Sequence, residues 1–204
     1  MIMIKKLSLT FGSKTKAQEM LYLMHDLKEV VRQGYYEEEF PKVKKYCNDN
    51  DLFMITSKFK VLLAEESNYS NKGIRVTEKD KSVGMHFVYI SKNEQKAYLA
   101  SYYELIENNK DLGLLLGYPE CCIEFFCNNF NEKDTNPEHQ PTNFLTNISK
   151  REEDNVIISH FPCNSNCPAS IEIAKRKMDL IIDIDKYRAE ELMESLKVNK
   201  NNEN

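Results

Sequence analysis

Two stretches of the sequence start helices with thiols, and they constrain the fold more than any other feature. In "LGYPECCIEFF", Pro119 stands where a first helical turn would begin, followed by Cys121 and Cys122. Proline suits that position because its missing amide would have had no intrahelical partner. In "HFPCNSNCPASIEIAK", Cys163 and Cys167 precede Pro168, which suits the first turn of a second helix for the same reason. A helix start carries unpaired amides and the positive end of the dipole, so a thiolate placed there is stabilised. If the four sulfurs meet, the two helix starts must be brought face to face, which fixes much of the surrounding architecture.

The side-chain pattern refines this expectation. Glu120, Glu124 and Asn128 mark a solvent stripe on the first helix. Neighbouring helical residues point about 100° apart, so Cys122 is expected on the apolar face with Phe126 and Phe130, and Cys121 near its edge beside Phe125. Cys127 lies away from the helix start and is assigned to packing. In the second stretch, the intervening "NSN" favours a tight turn, and such turns bring two sulfurs to one point in metal loops. Cys121, Cys122, Cys163 and Cys167 are therefore the candidate metal ligands, and zinc and an iron–sulfur cluster both suit a set of soft thiolates. The spacing lacks the third cysteine of a radical-type cluster motif, since position 170 is Ser170.

Two other readings fit the same residues. One is a thiol-dependent or redox-active enzyme in which Cys121 attacks and another of the four cysteines is its partner. The other is a metal-free interaction or scaffold protein whose cysteines only pack, as free cysteine often does. A catalytic site would place His160 or Glu120 nearest for proton transfer. Of the remaining histidines, His25 is expected at the surface, His86 in a strand that is apolar on both faces, and His139 on a polar loop.

Composition excludes some classes of function. With 204 residues, 29% charged, 41% apolar and a net charge of −4, the chain has the make-up of a soluble, folded protein. The basic clusters "KVKK" and "KRK" have acidic neighbours, which argues against a nucleic-acid surface. No run of residues approaches a membrane span. The opening "MIMIKKLSLTFG" lacks the order of a secretory signal. A cytoplasmic location is expected, and there the six cysteines would be kept reduced.

The order of elements predicts an α+β fold: a small, mostly antiparallel sheet packed against several helices, with a long C-terminal helix. The segment 4–11 reads as a short strand, 14–32 as a helix and about 36–47 as a second helix. Residues 52–66 read as one or two strands, and "GIRVT" with "VGMHFVYI" as a hairpin. Ser91 and Glu94 form a capping-box pattern before the next helix. The Cys-Cys helix spans about 119–130, 131–143 reads as a long polar loop suited to a lid, 155–163 as a strand or extended segment, and Pro168 to about Leu196 as one final helix. One domain over 1–197, with its cysteine core at about 85–175 and a disordered tail at 198–204, completes the expectation.

The motifs are familiar as well. Gly117, Tyr118, Pro119, Cys121 and Cys122, followed by Pro162, Cys163 and Cys167, resemble the paired motifs of the uncharacterised, largely archaeal family known as domain of unknown function 483. The resemblance covers roughly residues 85 to 175. It implies a shared thiol site and leaves the reaction open.

Overall fold

The computed structural model describes residues 3–63, 73–131 and 133–198. Eight α-helices and five strands are found among them, an α+β arrangement. Strand β1 (Val30–Tyr35), β2 (Phe53–Thr56) and β5 (His86–Ser91) form a three-stranded antiparallel sheet in the order β1-β5-β2. Val30 lies opposite Ser91 and Tyr35 opposite His86, while Phe53 also lies opposite Ser91 on the other side. β3 (Phe59–Leu63) and β4 (Gly73–Thr77) form a separate hairpin, tied to the sheet by a bridge between Val61 and Met85.

Helices cover both faces of the main sheet. The pleat sends Val31, Tyr35, Val88 and Ile90 into one core, where they meet residues of α1 (Met3–Phe11), α2 (Lys14–Met24) and α3 (Phe40–Asp49). The same core takes in α7 (Pro168–Ile184) and α8 (Lys186–Ser195). Val30 and Tyr89 point the other way, toward Ala100 of α4 (Glu94–Leu105) and Leu112 of α5 (Asn109–Leu115). On that second face Arg32 grips Glu104 through two bonds of 2.5 Å, and Tyr89 donates to the same carboxylate at 2.8 Å. Such a forked pair fixes α4 over β1 by geometry as well as by charge.

Several expectations need correcting. Residues 4–11 form helix α1, because Ile4, Leu7 and Phe11 recur at helical spacing and seat in the core. The helix begun at Lys14 stops at Met24; Asp26 takes a positive φ of 59°, and the β-branched pair Val30–Val31 opens β1. β4 pairs with β3 and not with β5. Helix α4 is capped by Asn93, which accepts from the Lys96 amide at 3.2 Å; Ser91 instead donates to the Glu29 carbonyl. The segment 155–163 forms no strand and bends at Ile157, Ser159, His160 and Cys163, with Val156, Ile157 and Ile158 buried. The final helix is broken at Asp185, whose carboxylate accepts from the Arg188 amide at 3.2 Å and from the buried Ile4 amide at 2.9 Å. The end of the segment 52–66, from residue 64 on, and nearly all of the proposed tail lie outside the described residues.

Candidate metal centre and its surroundings

The Gly-Tyr-Pro turn works as a joint between two helices. Gly117 takes a positive φ of 75°, its amide bonds to the Leu114 carbonyl at 2.9 Å, and the Tyr118 amide reaches the Gly113 carbonyl at 3.0 Å. This pair of bonds closes the end of α5 in the way a left-handed glycine permits. Pro119 then caps α6 (Glu120–Asn129), placing Cys121 and Cys122 in its first turn. Gly113 lets α6 approach closely, since a Cβ there would stand 2.8 Å from Ile123.

The second pair is set by a turn. The Asn164 side chain accepts from the Asn166 amide at 3.0 Å, and the Cys167 amide bonds to the Asn164 carbonyl at 3.1 Å. Cys167 is the residue before Pro168, at the start of α7. Ser165, between the two cysteines, accepts from the amides of Thr142 and Asn143 at 2.7 and 3.1 Å, and Thr146 donates to its carbonyl at 2.5 Å. The far end of the 131–143 loop is therefore pinned to the cysteine turn.

All four sulfurs lie within 4.8 Å of one another. Cys121 is 3.9 Å from Cys122 and 3.7 Å from Cys167, and Cys122 is 3.7 Å from Cys167. Hydrogen bonds reach them from neutral groups, the Cys163 amide to Cys122 at 3.3 Å and the Asn164 amide to Cys163 at 3.5 Å, and Ser170 Oγ shares a hydrogen bond with Cys122 Sγ at 3.2 Å in which either atom can donate. Burial pushes the Cys122 thiol up, and burial with the neighbouring thiols pushes Cys163 up to about 11. Cys167 goes the other way. Burial raises it, but hydrogen bonds with Ser170, and then with the Cys163 and Cys122 thiols, together outweigh that and bring it to about 7. Four thiolates this close repel one another, so their full ionisation requires a cation among them. The set can hold a metal ion.

Cys122 and Cys167 are buried, and Cys121 is exposed at the edge, as its helix position predicts. Cys127 is exposed, so the packing role expected for it is not found. Glu120 is exposed and stands outside the sulfur group. His160 is buried, with its Nε2 2.8 Å from Ser170 Oγ. When Ser170 donates to the Cys122 sulfur, its oxygen is left to accept from His160 Nε2–H, which sets the imidazole tautomer. Burial, then Lys177 and Lys28, hold His160 down to about 3, so it is neutral at pH 7. His139 packs on Phe125 at 4.6 Å between ring centres, His86 is buried near Glu37, and His25 caps α2 at the surface.

Sequence reasoning missed the charged group behind His160. Glu19 of α2 is fully enclosed and lies between two buried lysines, bonded to Lys28 and 3.3 Å from Lys177. Burial opposes ionisation of Glu19, but Lys177 and Lys28 together bring its carboxyl down to about 2. Burial, reinforced by Lys28, brings Lys177 down to about 8 despite Glu19. One signal was readable: Ser170, Ala174, Lys177 and Ile181 share one stripe of α7, so Lys177 occupies a position where an apolar residue is the rule.

The family model for a protein of unknown function (DUF483) matches residues 95–198, and the chain belongs to that family. No curated protein and no solved structure matches it. Among the described residues, no helix is long and apolar enough to cross a membrane.

Proposed function

We propose that this member of the DUF483 family is a metal-binding protein in which Cys121, Cys122, Cys163 and Cys167 hold a single zinc ion. The supporting observation is the spacing of the sulfurs. A tetrahedral ion with Zn–S bonds of about 2.3 Å needs sulfurs about 3.8 Å apart, and three of the pairs here stand at 3.7–3.9 Å. An iron–sulfur cluster distributes its thiolates over several irons and spreads them more widely, so the compact set favours one ion. Four protein ligands close the coordination sphere, which is the pattern of a structural site. The ion clamps the start of α7 to the start of α6 and neutralises charge that buried thiolates would otherwise carry. Reduced thiols of this kind suit a cytoplasmic location.

The test is metal analysis of the purified, chelator-free protein with visible absorption and acid-labile sulfide measured alongside. One zinc per chain is expected, lost in Cys167→Ser and retained in Cys127→Ser. Absorption with labile sulfide would replace zinc by a cluster. A metal-free chain whose stability is unchanged by chelator would refute metal binding. In that event alkylation decides the thiol-enzyme reading, which requires the exposed Cys121 to react faster than the exposed Cys127.

A further inference from the structure

A pocket of about 220 Å³ is lined in part by His160 and by none of the four clustered cysteines. Lys28, Lys177 and Arg176 line it, together with the rings of Tyr118 and His160 and the apolar side chains of Leu27, Leu116 and Ile173. Lys28 and Lys177 are almost wholly buried, with side-chain exposures of 4% and 5%, and share the single carboxylate of Glu19. The buried triad therefore carries an excess positive charge. Arg176, exposed, adds another, and among the described residues its ion pair is a loose one with Glu172 at 3.8 Å. An ammonium has three hydrogens to donate; among the described residues, Lys177 donates to Glu19 and stands 4.4 Å from the Tyr22 ring centre, and Lys28 donates to Glu19 and to Ser159 Oγ at 3.4 Å. Buried excess charge with unspent donors is costly unless an anion completes it.

We propose that this pocket binds a small carboxylic acid with a short apolar body. Its carboxylate is bound between Lys28, Lys177 and Arg176, and its apolar part rests against Leu27, Leu116 and Ile173. Size supports this choice. At about 30 Å³ per water, the volume equals about seven waters, below the range of pockets for larger ligands. Bare phosphate would satisfy the cations but leave the apolar walls uncovered. The pocket is separate from the sulfur cluster, and the proposal stands whether or not the cysteines hold metal.

Calorimetric titration of the full chain with 3-methylbutanoate tests it, with 3-methylbutanamide and inorganic phosphate as the other arms. The acid should bind, the uncharged amide should not, and phosphate should bind more weakly than the acid. Lys177→Met should weaken binding about tenfold or more, as loss of a charged hydrogen bond does. Arg176→Gln, at the exposed rim, should weaken it about threefold. If Lys177→Met does not fold, NMR of the wild-type lysine ε-groups answers the same question, since Lys28 and Lys177 should shift on titration ahead of exposed lysines. Absence of acid binding, equal binding of the amide, tighter binding of phosphate, or shifts confined to surface lysines would each overturn the proposal.

Discussion

Replacing Glu19 by glutamine removes the one negative charge that two buried ammoniums share and changes almost nothing else in shape. The carboxylate is 2% exposed, Lys28 and Lys177 little more, so solvent cannot take its place. Depression of its pKa from 4.5 to about 2 corresponds to about 3 kcal/mol of stabilisation at pH 7. Removing one partner of a buried ion pair costs about 3–5 kcal/mol in general. Glutamine keeps one acceptor oxygen, but its amide would point donors at an ammonium. Urea unfolding of the full chain, followed by circular dichroism, measures the loss; with a slope of about 2 kcal/mol per molar, the midpoint should fall by about 1.5 M. The pH dependence has a definite sign. A carboxyl depressed on folding contributes fully above its unfolded pKa and loses that contribution as pH falls through about 2. The gap between wild type and Glu19→Gln should therefore narrow from about pH 4.5 downward. Adding Lys177→Met to the glutamine variant should restore part of the stability, because one of the stranded charges is removed. A loss below about 1 kcal/mol at pH 7, or a double variant that is weaker than the single one, would show that the triad is not the buried charge unit described here.

Two further substitutions separate the site from the scaffold. Ser170→Ala removes the hydroxyl between His160 Nε2 and the Cys122 sulfur; it should cost about 1–3 kcal/mol for the stranded imidazole and lower zinc affinity about 10–100-fold, read by competition with a chelating dye. Asp185→Ala removes the acceptor for the Ile4 and Arg188 amides; it should cost about 2 kcal/mol in urea unfolding with zinc content unchanged.

The cysteine motifs were legible because their chemistry is local. Proline, a left-handed glycine and short polar turns fix where a helix begins, and those rules operate over a few residues. Convergence of the two motifs was an inference from that shared position. The errors fall where tertiary context decides. "IKKLSLTF" has both an apolar start suited to a strand and a helical stripe of Ile4, Leu7 and Phe11, and only the core it docks on selects the stripe. The β4–β5 hairpin was drawn from proximity in the chain. A strand whose residues are apolar on both faces belongs in the middle of a covered sheet, and β5 sits there between β1 and β2. Glu19 and Lys28 gave no usable signal, because the burial that makes their pairing matter is completed by Lys177, 158 residues from Glu19 in the chain.

The family match adds a constraint on how the parts depend on one another. Residues 95–198 contain all four cysteines, His160, Ser170 and Lys177, while Glu19 and Lys28 come from the other half of the chain. Helix α7 joins the two regions: Cys167 begins it, Ser170 in its first turn touches Cys122, and Lys177, two turns further, meets Glu19. A rigid helix transmits position along its axis, so whatever fixes Cys167 also sets where the Lys177 ammonium stands relative to α2. The matched segment alone would leave Lys177 without the Glu19 carboxylate and without the Tyr22 ring it stands over. It would also lack β1, β2 and β5, against which α4 packs. The thiol motifs can therefore position the charged pocket only with the N-terminal half in place, which supplies the anion that makes a buried lysine tolerable.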